Sequence, residues 1–386
     1  MRTSWVQDRV AKPERRGFSL VELLVVIAII ALIISIVLPV LGGARKAGRK
    51  LASQGVLNDI ASASSQFKLD HQGRNPGYFS PRAMGSDENA TRGMSEMENV
   101  MLDLAGQNAI KETAGPNTVE VGPVEPDPNG GTQTILVDPS LIGTDKGAYF
   151  TPSREYYTAQ LASTGQQIAS IPGHAGSSET DIQLLDVVDA FGQPVLYWSA
   201  DDYTVKEVTQ ASEFVARDSS GQPAMFYWNS NAAFLQATNL GKLGEDMTIA
   251  PDPDVKSSLI GSGAINDPVT MRSMQALLGS PSAPRSDISG QTVEDLLASP
   301  SEASIDGLYP GRAKGSFIIQ SAGIDGVYMS ARDRGFSTVA IETNNIEYGL
   351  DFFVSPTARV TTDDDNKPTS RDVISEFDEI IVSGGG

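Results

Sequence analysis

Polar and apolar positions change character twice within the first seventy residues. Residues 1–17 are polar and carry Arg2, Arg9, Lys12, Arg15 and Arg16. From Phe18 to Leu41 the chain reads FSLVELLVVIAIIALIISIVLPVL, with only Ser19, Glu22, Ser35 and Pro39 outside the apolar set. A helix apolar on every side has no face for water, and at about 1.5 Å per residue this run reaches across a hydrocarbon layer about 30 Å thick. The pattern predicts a transmembrane helix over 18–41. In residues 44–70 the periodicity becomes one-sided, with Ala44, Ala47, Leu51, Leu57, Ile60, Ala61, Ser64 and Phe67 near one stripe. That predicts an amphipathic continuation of the helix over 42–72 whose stripe docks on a soluble body. Pro39 and Gly42-Gly43 mark an expected bend or weak point, since both residue types lower helical stability.

Residues 73–93 are rich in Gly, Pro, Ser and Asn and read as a connection. Helical spacing returns over 94–111 through Met97, Met101, Leu104, Ala105 and Ile110, the methionines as core filler. The Pro/Gly-rich stretch Gly115 to Gln133 is expected to hold no long regular element and to form a loop or insertion boundary. From about residue 181 the period falls to two. A tight turn is expected at Phe191-Gly192-Gln193-Pro194, followed by a strand over Val195 to Trp198. The string Asp-x-x-Gly-Gln-Pro, with Tyr-Trp shortly after, recurs at Asp218 to Trp228. Two similar hairpins, or chance, explain it. Further helical pieces are expected at 271–278 and 293–298.

Composition narrows the function classes. The 386 residues hold 29 Lys plus Arg against 48 Asp plus Glu, a net charge of -19, which disfavours a broad nucleic-acid-binding face. There is no cysteine, so disulfides, thiol nucleophiles and Cys-based zinc sites are excluded and any metal needs oxygen ligands. The two histidines, His71 and His174, lie in Gly-rich contexts without a nucleophile-elbow string and read as surface residues. Walker and dinucleotide glycine patterns are absent as well. No catalytic residues are assigned, and enzyme activity is not expected. Asp363-Asp364-Asp365 lacks the alternating spacing of an EF-hand and reads as an exposed acidic loop.

The apolar run has three readings. A cleaved secretory signal has an apolar region of roughly 7–15 residues, shorter than this one. A plain uncleaved anchor leaves Glu22 unexplained, because a lone carboxylate in lipid costs about 2.5–3.5 kcal/mol. The third reading uses Glu22. The string Arg15-Arg16-Gly17-Phe18-Ser19-Leu20-Val21-Glu22, followed by the apolar run, resembles the class III signal of type IV pilins and type II secretion pseudopilins. The resemblance implies cleavage between Gly17 and Phe18 by a membrane-embedded prepilin peptidase that also methylates the new amino group of Phe18. It further implies that Glu22 pairs with the amine of a neighbouring subunit during assembly, and that Pro39 is a helix-bending proline. Arg45, Lys46, Arg49 and Lys50 nearly balance the basic leader, so the expected orientation, leader inside and body outside, rests on the resemblance.

Weaker echoes point toward the pseudopilins. The turn at Asp189 to Pro194 resembles their Asp-x-(Trp/Phe)-Gly-x-Pro turn. GSFIIQSAGIDG, from Gly315 to Gly326, resembles their strand ending in Ser-x-Gly-x-Asp-Gly, and Phe377 to Ser383 their acidic pair with a final strand. In that family these loops bind calcium, which carried over nominates Asp325 and Asp378 as ligands. The chain exceeds the usual size, so 73–180, 230–314 and 335–372 read as insertions.

The expected architecture is therefore α+β and pilin-like: a long N-terminal helix, transmembrane in its first half, packed on a small antiparallel sheet with large insertions. Residues 1–17 form a cleaved leader and 73–386 an extracytoplasmic body, anchored in the bacterial inner membrane. The expected partners are the prepilin peptidase/methyltransferase, other pseudopilin or pilin subunits, an inner-membrane assembly platform and membrane lipid, but no nucleic acid. A minor pilin or tip adhesin, or a membrane-tethered binding protein, is the alternative.

Overall fold

The computed structural model describes residues 19–86, 89, 94–126, 132–158, 184–201, 213–217, 223–231, 314–324, 326, 328 and 378–384. By internal contacts the chain divides into two units, Met1–Gly48 and Arg49–Gly386.

Helix α1 runs from Leu20–Asp70, 51 residues, and continues through Pro39 and Gly42-Gly43 without a break in assignment. Its leucine, isoleucine and valine side chains over residues 20–41 are all exposed, between 43 and 79 %. One-sided burial starts at Ser53 and takes in Val56, Leu57, Ile60, Ala63, Ser64 and Phe67. The expected stripe is thus correct in period but too long. Ala44 and Ala47 are exposed and Leu51 is 70 % exposed. Periodicity tells which side of a helix is apolar, whereas how far the packing partner extends is a tertiary matter.

Within the second unit a short helix, α2 (Pro81–Met84), is capped by the Ser80 side chain, which accepts from the Ala83 N–H. Helix α3 (Glu96–Ala105) follows where the spacing predicts one, with Met97, Met101, Leu104 and Ala105 all buried. It ends six residues short of Lys111, and Ile110, read as part of the helix, lies in a strand after Gly106 stops the helix. Ser95 and Glu98 close a capping box at its start, satisfying two backbone N–H groups that the helix itself cannot.

Strands β1 (Ile110–Lys111), β2 (Val119–Pro126) and β3 (Thr132–Val137) form an antiparallel sheet in the order β1-β3-β2. This corrects the reading of Gly115 to Gln133 as devoid of a long regular element. Two circumstances admit a strand there. β2 lies at the sheet edge, where a proline forfeits no interior ladder bond, and the pairing register shifts between Val121 and Glu125, the interval that contains Gly122-Pro123.

Strands β4 (Tyr157–Thr158) and β5 (Asp186–Val187) pair, and the chain then turns into β6 (Leu196–Ser199). Asp189 builds that turn. Its Oδ1 accepts from the N–H groups of Phe191 (2.8 Å) and Gln193 (2.9 Å), while Gly192 takes φ +86°, a region open to glycine at little cost. The second copy of the repeated string lies between β7 (Glu213–Arg217) and β8 (Pro223–Tyr227), which pair antiparallel. Both copies therefore mark antiparallel connections.

The remaining sheet has the order β10-β9-β6, with β9 at Phe317–Ser321 and β10 at Ile380–Gly384, all antiparallel. Alternate residues, Val195 and Tyr197, Phe317 and Ile319, and Ile380, join Leu57, Ile60 and Phe67 of α1 and the apolar residues of α3, a helix buried along its whole length, in one hydrophobic cluster. The other set, Leu196, Trp198 and Ile318, is buried too, so β6 and β9 read as continuous apolar runs. Long helix and small antiparallel sheets together make an α+β fold. The candidate helices at 271–278 and 293–298, the acidic run Asp363-Asp364-Asp365 and His174 lie outside the described residues.

Candidate functional site

The site nominated by the sequence is the start of α1. Gly17 and Phe18 lie outside the described residues; Ser19 and Glu22 lie within them. Ser19 N–H donates to Glu22 Oε2 at 2.8 Å and Glu22 N–H donates to Ser19 Oγ at 3.2 Å. This reciprocal pair is a capping box, the same device that opens α3. Glu22 thus has a job within its own chain, which the reading of it as an assembly residue had missed. The signal was legible as Ser-x-x-Glu directly before an apolar run.

The cap changes how the span meets lipid. A hydrocarbon layer offers no water to unsatisfied polar groups, so each must find a partner inside the helix. Ser35, the other hydroxyl in the run, donates to the Leu32 carbonyl at 2.7 Å. Ser19, Glu22 and Ser35 therefore all have intrahelical partners. Among the described residues, α1 is the one helix long and apolar enough to cross a membrane.

The second nominated site is the far end of the β10-β9-β6 sheet. Asp325 lies outside the described residues. Asp378, separated from the turn after β9 by more than fifty positions, is folded against it: a Cβ on Gly323 would collide with the Asp378 carbonyl, and Gly323 sits at φ +75°. Asp189 ties the β5–β6 turn to the same strand, its Oδ2 accepting from Ser321 Oγ at 2.6 Å. Among the described residues no group of three or more His, Asp or Glu gathers in metal-ligating proximity.

His71 is not the free surface residue expected. It is half-buried, stacked on Phe67 with ring centroids 4.0 Å apart, and its Nε2 lies 3.4 Å from the Tyr149 hydroxyl.

The body also buries several carboxyls that the sequence did not single out. Burial pushes Glu96 up to about 8, with Ser199 and Asn99 working the other way. Burial, then the neighbouring Glu98 charge, pushes Asp186 well above the ordinary carboxylate range. Desolvation likewise raises Tyr157, reinforced by Glu98 and Asp186. Sequence gives no hint of these groups, because 48 acidic residues are indistinguishable until the fold hides a few of them.

Residues 12–38 match the prokaryotic N-terminal methylation motif, so the chain carries the class III signal of the type IV pilins and pseudopilins. The matched stretch contains Gly17, Phe18, Ser19 and Glu22 and stops one residue before Pro39. No curated protein and no solved structure matches the chain.

Proposed function

We propose that the chain is a filament subunit, cut between Gly17 and Phe18, methylated on Phe18, and assembled through its apolar helix into a type II secretion pseudopilus or a related filament. The observation that carries this reading is the coincidence of the methylation motif with a helix whose apolar side chains are exposed all round. Cutting ahead of an apolar helix, rather than behind it, leaves the helix on the product. The mature protein stays in the membrane until side-by-side packing with other such helices replaces the lipid contacts.

The cap and the assembly role of Glu22 are compatible. An ionised carboxylate accepts several hydrogen bonds, and the capping box uses one of its oxygens. A methylated amine at Phe18 is still a cation, placed beside the partially positive start of its own helix. A carboxylate from a staggered neighbour relieves that repulsion. Because desolvation offsets much of the gain, the pairing serves axial register more than net cohesion.

Two substitutions separate the roles. Glu22→Ala removes both cap and charge; it should leave processing intact and prevent co-purification with the other subunits. Glu22→Gln keeps a capping side chain and removes only the charge. Assembly lost in both variants supports pairing; wild-type assembly of Glu22→Gln reduces Glu22 to a cap and overturns the pairing.

A minor pilin or tip subunit is the second reading, favoured by the additional β1–β3 sheet and α3 in the body. Genomic neighbours encoding a secretin and a secretion ATPase would favour the pseudopilus. In that form Asp378, beside the turn after β9, and Asp325 would contribute oxygens to a calcium ion, a hard cation that takes six to eight such ligands. Calcium-dependent stabilisation abolished by Asp378→Asn is the expected result.

A further inference from the structure

A cavity of about 420 Å³ opens in the body between the 74–81 segment, the first turn of α3 and the end of β6. Its walls are already held in place. Asp103 binds Arg74 at 2.7 Å and the Gly77 N–H at 2.8 Å, while the Asn99 side chain accepts from the Phe79 N–H and donates to the Phe79 carbonyl. The site is therefore formed before any ligand arrives.

Two carboxyls line it, Glu96 and Asp201, with 1 % and 4 % exposure. Tyr227 donates its hydroxyl to Asp201 Oδ2 at 2.9 Å. Ser199 donates to Glu96 Oε1 at 2.7 Å and the nearby Asn99 amide also favours its charged form, but that amide is bonded to Phe79 and no described group meets Glu96 Oε2 in hydrogen-bond geometry. Glu96 thus brings to the wall of a preformed cavity a buried carboxyl with one oxygen unmatched, and such an oxygen calls for a donor. The one basic residue in the wall, Arg74, is committed to Asp103 and stacked over the Phe67 ring at 4.8 Å. The balance within the cavity is thus acidic. Pro76, Tyr78 and Phe79 supply apolar and aromatic wall.

We propose that this cavity binds an alkylammonium group, carried either by a small free amine or by a lysine side chain of a protein partner. The ammonium donates to Glu96 Oε2 and is balanced by Asp201, and its aliphatic stem lies along the proline and aromatic surfaces, where a cation is also favoured. A divalent cation fits poorly, since it needs more oxygens than two carboxyls bring. An anion would face those carboxyls with Arg74 already occupied.

The proposal goes beyond the filament reading and does not depend on it. It has a proton signature. Tyr197 of β6 interacts with Glu96, Arg74, Tyr78 and Asp201 share its cavity wall, and Tyr227 of β8 is bonded to Asp201. Burial holds Tyr197 well above its ordinary value, so it stays neutral. In the empty cavity burial keeps the Glu96 proton up to about pH 8, whereas an alkylammonium stays charged to about pH 10. Binding below pH 8 must therefore expel a proton, and affinity rises with pH.

The test uses the full processed protein in detergent, titrated with n-butylammonium and with Nα-acetyl-lysine amide at pH 6.5 and 8.5, with n-butanol as the uncharged control. Saturable binding about 25-fold tighter at the higher pH is expected. Glu96→Gln, which preserves an acceptor for Ser199, should weaken binding and abolish its pH dependence. Asp201→Asn should weaken it and keep that dependence. Near-UV circular dichroism from Trp198 and Trp228 verifies the fold of each variant. A preference for the lysine derivative assigns the ligand to a protein partner and a preference for the free amine to a small molecule; both support the shared chemistry. Absence of saturable binding at pH 8.5, tighter binding at pH 6.5, equal binding of n-butanol, or unchanged binding by folded Glu96→Gln overturns it. The wild-type titrations alone suffice to do so if either variant fails to fold.

Discussion

Along α1, residues 20–41 and residues 53–67 share one backbone geometry and differ in where their apolar side chains go. In the first stretch leucine, isoleucine and valine face outward on every side; in the second they occupy one side, and Leu57, Ile60 and Phe67 are fully buried. The helix alone does not decide this, because both stretches belong to one continuous helix. What differs is the solvent each is written for. The second half satisfies water with a polar side and the body with an apolar one. The first half has no polar side, and its hydroxyls and its carboxyl turn inward to the backbone instead. The same Ser-x-x-Glu cap serves both solvents: Ser19 and Glu22 are exposed, Ser95 and Glu98 buried.

Truncations probe the contrast most strongly. Phe67→Ala should cost about 3–5 kcal/mol of body stability and Leu57→Ala about 2–5, by denaturant unfolding in detergent. Leu24→Ala and Ile30→Ala should leave that transition unmoved, since both side chains are exposed. Equal losses in the two sets would erase the distinction.

Acidity gives the next effect. Burial pushes Glu96 up to about 8 in the fold, from about 4.5 in the unfolded chain. Between those values the native state holds more protons, so this group's contribution is greatest at low pH. Stability should fall by a few kcal/mol as pH rises from 4.5 to 8. Glu96→Gln should flatten that slope, measured by melts across the range. Next in size, Ile30→Lys should impede membrane insertion by about 2.5–3.5 kcal/mol, measured as membrane-inserted fraction. Asn58→Lys, on the exposed side of the docked half, should have no such effect. Ser19→Ala should cost the start of α1 about 1 kcal/mol, seen as faster amide exchange in its first turn. Leu51→Ala, at a position 70 % exposed, should stay within about 0.5 kcal/mol.

Much of this was legible in the order of residues, and the reasons are physical. An apolar run and an amphipathic period are local properties, so α1, α3 and the strand at β6 could be read directly, whereas β9 and β10 were expected only from the resemblance to pseudopilins. The turn at Asp189 to Pro194 was readable because its aspartate and glycine perform local backbone chemistry. Features that depend on distant neighbours were not. Pro123 looked like a breaker until β2 proved to be an edge strand. Ala44, Ala47 and Leu51 looked docked until burial was found to begin at Ser53. His71 looked free until Phe67 and Tyr149 were placed beside it. The candidate start site was half-read: Glu22 was recognised by its position in a signal, while its bond to Ser19 went unnoticed although both residues stood in plain view. Glu96 was invisible, because nothing in its local string distinguishes it from Glu98.

The central claim is that the apolar half of α1 stays on the mature protein because processing falls ahead of it. Intact-mass and N-terminal peptide analysis of protein purified from its native membrane tests this most directly. The account predicts a chain beginning at Phe18 and bearing one added methyl group on its amine. A chain still beginning at Met1, or one beginning beyond Leu41, would contradict it.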